Sequence, residues 1–188
     1  AERLRDEPIR RILASDLARA DMTARALSTT LGLAVESEPL LQERNFGDLR
    51  GTPYADLDED PFQPGYAPPG GETGPDFLAR VERAWARIVS ASEGLGGALA
   101  VVSHGLVLQA IALYHVDPGG RAEAPDSPLR FRNTSYSVVE GSDPWTLVSL
   151  GRDDHLEGMD ERMLPLWLWP PTRRPVHVCR STSSWLIP

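Results

Sequence analysis

Three residues in this chain have side chains suited to handling an anion and a proton. His104 stands in Ser103-His104-Gly105, directly after the apolar run Ala98-Leu99-Ala100-Val101-Val102 and before an apolar pattern that starts at Leu106. The first run has the length of a buried strand and the second has helical spacing. Residues at the carboxyl end of a parallel strand face the crevice where open α/β sheets bind ligands. The helix after Gly105 turns its free N–H groups into that crevice, which suits an anion. A histidine there can donate to phosphate or move a proton near neutral pH; taken alone, it is as readily a core histidine bonded to a carbonyl. Arg19 sits in a first helical turn, one turn before Thr23. A cation there opposes the helix dipole, which suits a side chain placed for an anion but also describes a solvated arginine. Glu43 lies in the loop-like Leu40-Leu41-Gln42-Glu43-Arg44-Asn45-Phe46-Gly47-Asp48-Leu49-Arg50-Gly51. In a pocket, burial raises a glutamate's pKa and makes it a general acid; at the surface, a Glu–Arg pair is worth little.

The elements that must position these residues follow from pattern. Residues 1–7 read as the tail of a helix with Leu4 as its contact, broken by Pro8. A short strand is expected over 9–14, then Ser15-Asp16 as N-cap chemistry and a helix over 17–31 ended by Gly32. Its Leu17, Ala20, Ala24, Leu27 and Leu31 repeat at helical spacing. A short strand over 33–37 comes next. Residues 61–74 are too rich in Pro and Gly for regular structure and read as a lid or binding loop with Gly71-Glu72-Thr73 at its tip. A helix over 75–92 would turn Phe77, Leu78, Val81, Trp85, Ile88 and Val89 inward, with Pro75 in its first turn. After the helix that follows His104, Asp117-Pro118-Gly119-Gly120 is a turn. Strands over 129–140 and 145–150 form an antiparallel hairpin around Gly141-Ser142-Asp143-Pro144. Residues 163–188 hold five prolines and Trp167, Trp169 and Trp185 with no clean period, and read as a poorly packed tail or docking segment. The element order is that of a layered α/β fold.

Composition sets the bounds. The 188 residues favour one domain with a real core. A net charge of −8 argues against a general nucleic-acid or anionic-membrane surface, though a local arginine cluster still serves an anionic substrate. Lysine is absent and all 19 Lys/Arg positions are arginine, the planar two-pronged donor for phosphate, though the codon bias of a GC-rich genome is the preferred explanation. A single cysteine, Cys179, excludes an intrachain disulfide and a Cys-rich metal site. With no membrane-length apolar run and no secretory pattern, the cytoplasm is the expected location.

Several stretches stand in a familiar order. Ser15-Asp16-Leu17-Ala18-Arg19-Ala20-Asp21-Met22-Thr23-Ala24 comes first, then Glu43-Arg44-Asn45-Phe46-Gly47 running to Gly51, then Gly71-Glu72-Thr73 and a helix with Arg80. Val101-Val102-Ser103-His104-Gly105 follows, and Asn133-Thr134-Ser135 with Asp153-Asp154-His155-Leu156 comes last. Over residues 1–157 this resembles the histidine phosphatase superfamily, in its phosphoglycerate-mutase-like branch. The Ser-Asp-Leu-x-Arg-Ala block and the Glu-x-x-Phe-Gly block carry the resemblance; Ser-His-Gly alone is common.

The resemblance implies a three-layer α/β/α sandwich around a mostly parallel sheet. It also implies a phosphohistidine mechanism acting on a small phosphorylated substrate, with no cofactor and no metal. Matched residue by residue, Arg19 is a phosphate-clamping arginine, Glu43 the proton donor and His104 the pocket's second histidine, with the Gly105 N–H beside it. Glu72 and Asn133 also stand at family positions. The family's nucleophile lies in an Arg-His-Gly motif on its first strand, and no such triplet occurs among these residues; His104, His115, His155 and His177 all lack that setting. The reading is therefore a domain over 1–158, incomplete at its N-terminus, with an atypical tail over 159–188. The parent is a phosphatase and the chain as given is inactive; a mutase and a non-catalytic phosphate binder are the alternatives. A missing central strand would leave two strand edges unpaired, which the tail could partly fill. Neither nucleic acid nor membrane is an expected partner, and a homodimer is allowed.

Overall fold

The computed structural model describes residues 1–53, 56–63, 65–119 and 131–157, and the backbone of residues 185–187. After a 3-10 turn at Glu2–Leu4 come β1 (Ile9–Ala14), α1 (Ala18–Leu31) and β2 (Val35–Ser37). Two further 3-10 turns, Pro39–Leu41 and Gly47–Leu49, lead towards α2 (Gly74–Ser92), then β3 (Ala98–Val102) and α3 (Gly105–Tyr114). The hairpin strands β4 (Tyr136–Gly141) and β5 (Trp145–Arg152) follow, and a short strand β6 (Trp185–Ile187) ends the series. No helix of the described residues is long and apolar enough to cross a membrane.

The sheet runs β2-β1-β3-β6-β4-β5. β1 is parallel to both β2 and β3, β6 is parallel to β3, and β4 runs antiparallel to both β6 and β5. All five residues of β3 are buried, as a strand covered on both faces must be. Its period-two alternation splits the core: Leu99 and Val101 join one apolar cluster, Ala98, Ala100 and Val102 the other. The first cluster takes Phe77, Val81, Ala84, Ile88 and Ala91 of α2 with Val107, Leu108 and Ile111 of α3. The second takes Ala20, Ala24 and Leu27 of α1. Helices therefore cover both faces, giving the three-layer α/β/α arrangement with a mostly parallel sheet. Each fully buried Val, Leu, Ile or Phe in these layers contributes about 1.5–3 kcal/mol relative to exposure.

Several local expectations change. Residues 2–4 form a 3-10 turn in place of a helix tail. Helix α1 begins at Ala18 with Leu17 as N-cap and no side-chain cap bond, so Ser15 does not cap it. β2 is confined to Val35–Ser37. Leu78 is 40% exposed, because the inward stripe of α2 passes through Phe77 and Val81 and leaves position 78 beside it. β4 starts at Tyr136; residues 131–135 precede it as loop, and Arg121–Pro128, residues 129–130 and most of the Pro/Trp-rich segment lie outside the described residues. From that last segment, Trp185–Ile187 enters the sheet between β3 and β4, where the two edges would otherwise lack partners.

The expected loop over 61–74 has no helix or strand among its described residues before Gly74. It is anchored by backbone contact with residues 45–48. Asp48 N–H donates to Pro69 O at 2.9 Å and Glu72 N–H to Asn45 O at 2.7 Å. A Cβ at Gly47 would stand 2.0 Å from Pro69 O, and one at Gly71 would stand 2.5 Å from Asn45 O. Only glycine permits this approach, and Gly47 also takes φ +53°.

Candidate functional site

β1 and β3 end side by side. Ala14 pairs with Val102, and the ladder continues one step as Ser15 N–H donates to Val102 O at 2.9 Å. The chain leaves β3 through Ser103 and enters α3 at Gly105, with His104 as its N-cap residue in extended backbone conformation. Sequence order thus places Ser15, Ser103 and His104 together at the carboxyl ends of two parallel strands. His104 is 6% exposed and Ser15 1% exposed, and His104 Nε2 lies 2.8 Å from Ser15 Oγ. Burial, then the charges of Arg19 and Arg80, push the imidazole pKa down to about 4, against the opposite pull of Asp16. His104 is accordingly neutral at pH 7.

Glu43 reaches the same helix end. One carboxylate oxygen accepts the Arg44 N–H at 3.0 Å, and the other accepts the Leu106 N–H at 3.3 Å. Leu106 is the second residue of α3, so Glu43 occupies one of the N–H groups that a helix start leaves free. Burial raises the carboxyl pKa, opposed by those two hydrogen bonds and by the charges of Arg19 and Arg80. Arg19, in the first turn of α1, is exposed, and its guanidinium makes no hydrogen bond or ion pair with any described residue. Gly105 opens α3, and a Cβ there would meet nothing within 4 Å. Gly105 itself is exposed. The four residues singled out from the sequence, Arg19, Glu43, His104 and Gly105, are brought to one place.

A second tier holds this arrangement. Arg80 of α2 donates from Nη1 to Leu40 O and Gln42 O, both at 2.7 Å, and from Nη2 to Glu43 O at 3.3 Å. Its Nε and Nη2 also donate to Glu72 at 2.7 and 2.8 Å, while Glu72 accepts the Asn45 N–H at 2.9 Å. The Arg80 and Glu72 side chains are 12% and 20% exposed. One guanidinium therefore clips the Glu43 loop to α2 and to the tip of the 61–74 loop. Ser103 Oγ adds a bond to Leu41 O at 2.8 Å, and Gln42 Nε2 donates to Asp16 at 2.6 Å. The family position of Glu72 is thus a structural one. Sequence reading missed Ser15 as a partner of His104 and Arg80 as a clip; only their places inside the quoted motifs marked them.

The remaining histidines stand elsewhere. His115, just after α3, stacks on Trp85 with ring centroids 5.5 Å apart and faces Glu82 at 3.6 Å. His155 lies 3.0 Å from Thr134 O through Nε2, and Asn133 is exposed in the loop before β4. His177 lies outside the described residues.

Residues 1–152 match the model of the histidine phosphatase superfamily, branch 1. Over 172 aligned residues the chain is 28% identical to the Yersinia pestis (strain Pestoides F) protein named "Probable phosphoglycerate mutase GpmB", covering 84% of this chain and 78% of that one. It is also similar to the solved structure of a mycobacterial glucosyl-3-phosphoglycerate phosphatase. There the TM-score is 0.51 at 31% identity, over 59% of each chain. A structure named "Mycobacterial hydrolase 1" gives the same TM-score and identity, over 59% of this chain and 60% of that one. The match thus spans less than two thirds of the length of these solved relatives.

Proposed function

The chain belongs to the histidine phosphatase superfamily, and from that premise we propose that it holds the phosphoryl group of a small phosphomonoester at the start of α3, in the manner of a phosphatase. One observation carries the reading. Arg19 from α1, Glu43 from the 42–51 loop and His104 from the end of β3 converge on the helix end where Leu106 N–H already meets a carboxylate.

In this reading the Arg19 guanidinium, the Gly105 N–H and an imidazole N–H of His104 bind the phosphoryl oxygens. Helix N-termini and unpaired guanidinium groups are suited to that charge. Where the family's nucleophilic histidine is present, Glu43, kept protonated more readily by burial, would give its proton to the leaving-group oxygen as the histidine nitrogen bonds to phosphorus and the ester P–O bond breaks; in the chain as given it lines the bound phosphoryl group. Such transfer depends chiefly on positioning and charge stabilisation. The same contacts would serve a mutase, the reaction in the name of the Yersinia relative. The acidic run Asp58-Glu59-Asp60 in the loop before residue 61 favours hydrolysis, because it repels a doubly phosphorylated primer. With no Arg-His-Gly triplet in these 188 residues, the chain as given binds the phosphoryl group and does not form the family's phosphohistidine. It occupies no nucleic acid or membrane surface, and acts in the cytoplasm.

Calorimetric titration with inorganic phosphate and with orthovanadate tests this. Both anions should bind, and Arg19→Ala or His104→Ala should each weaken binding about tenfold or more, the scale of one charge-assisted hydrogen bond. A folded sample that binds neither anion overturns the reading. Turnover of an aryl phosphate through a phosphorylated histidine of this chain would overturn its non-catalytic part.

A further inference from the structure

The contact between Ser15 and His104 goes beyond packing. A serine hydroxyl has one proton and two lone pairs, and a neutral imidazole has one N–H and one bare nitrogen. Ser15 Oγ already accepts the Leu17 N–H at 3.2 Å. Among the described residues its only other hydrogen-bond partner is His104 Nε2, at 2.8 Å. The side chain is 1% exposed, so solvent does not take its proton. Were Nε2 to carry the ring proton, it would donate to the second lone pair of Oγ, and the hydroxyl proton would be left buried without an acceptor. Orphaning a buried donor disfavours that tautomer by about tenfold or more. Were Nε2 bare, both groups of this contact are satisfied: Leu17 N–H donates to Oγ, and the Ser15 O–H donates to Nε2.

We infer that Ser15 is a positioning residue that fixes His104 as its Nδ1–H tautomer, with Nε2 as acceptor, so that Nδ1–H is the ring's free donor. Nδ1 has no hydrogen-bond partner among the described residues. This also accounts for the serine itself. It stands two residues before the N-cap of α1 and does not cap that helix, and a buried alanine would pack equally well if the hydroxyl served only the fold. The backbone fixes the geometry, since Ser15 N–H is held by Val102 O one step beyond the β1–β3 pairing and His104 lies two residues past Val102. The consequence for a ligand, that Nδ1–H reaches a phosphoryl oxygen, rests on the function proposed above; the tautomer does not.

Two-bond 1H–15N spectra of the histidine rings in the ¹⁵N-labelled chain test the inference near pH 7.5. The signal set missing from His104→Gln identifies His104. Nδ1 should give the shift of a protonated, pyrrole-like nitrogen and Nε2 that of a bare, pyridine-like one. Ser15→Ala should shift the tautomer ratio towards Nε2–H by about tenfold, and Ser15→Thr should keep the original pattern. An Nε2–H pattern in the unmodified protein overturns the inference without any variant having to fold, and so does a Ser15→Ala spectrum identical to the parent's. Titration with inorganic phosphate then separates the two claims. Weaker phosphate binding in Ser15→Ala, restored in Ser15→Thr, supports both. The expected tautomer in a chain that binds no phosphate supports the positioning role and overturns only the proposed function.

Discussion

His104 should make the stability of this protein depend on pH in one direction only. Its ring lies 6% exposed beside two guanidinium charges, and its pKa falls from 6.5 to about 4. At 1.36 kcal/mol per pH unit the drop amounts to about 3 kcal/mol of linked stability. The folded ring binds a proton more weakly than the unfolded one, so the unfolded state carries more protons between the two values and stability rises with pH there. The contribution is complete above pH 6.5, declines as pH falls towards 4 and is gone below it. Urea unfolding of the parent and of His104→Gln, measured in steps from pH 7.5 to pH 4, isolates this group, because glutamine does not titrate and the other acids cancel in the difference. The parent should lose roughly 3 kcal/mol relative to the variant across that range. Arg19→Met should recover part of the loss, since Arg19 is the larger of the two charge effects. A stability of the parent minus that of the variant that stays flat, or rises, as the pH falls would refute a histidine held neutral by burial and by Arg19.

Other perturbations probe the support around that ring. Arg80→Met removes five hydrogen bonds and leaves Glu72 without its cation; denaturant unfolding should show a loss of about 3 kcal/mol, the scale for breaking a largely buried ion pair. Arg80→Lys should restore little of it, because an ammonium lacks the planar fork that meets three carbonyls and a carboxylate together. Gly47→Ala should cost about 2 kcal/mol in chemical denaturation and make the 61–73 loop more susceptible to limited proteolysis, since the new Cβ would lie 2.0 Å from Pro69 O at φ +53°. Gly94→Ala, where φ is +69° but nothing lies within 4 Å, should cost about 1 kcal/mol and leave proteolysis unchanged.

What the sequence displayed was whatever local pattern determines. The strand at 9–14, the helix to Leu31, the buried run at 98–102 and the helix after His104 all carry periodicity that burial enforces, and each formed within a residue or two of its expected bounds. Arg19, Glu43, His104 and Gly105 were legible as motif residues, and their meeting follows once β1 and β3 are neighbours. Contacts set by distant pairing were not legible. Arg80 holds carbonyls about 40 positions away in the chain, and no spacing rule encodes that. Ser15 carried the chemistry of a helix cap, but the backbone turned its hydroxyl to a residue 89 positions away. Trp185–Ile187 has only three residues, too few for a period, and joins the sheet through the edges of β3 and β4.

The opposite displacements of Glu43 and His104 tie these features into one electrostatic argument. Burial favours the neutral form of both groups: it raises the carboxyl pKa and lowers that of the imidazole. Arg19 and Arg80 push both pKa values down, which reinforces burial at His104 and opposes it at Glu43. The helix end therefore keeps a neutral histidine and a carboxyl inclined to hold its proton, while Arg19 supplies a positive charge that forms no ion pair with a described residue. An anion placed there meets the Arg19 guanidinium, the Gly105 amide and the imidazole N–H, all donors. It also restores the charge balance that Glu43 gives up when protonated. Binding of an anion should therefore lift both pKa values, and the His104 ring signals followed against pH with saturating phosphate should titrate higher than in its absence. An unchanged His104 titration on phosphate binding would place the anion away from this helix end.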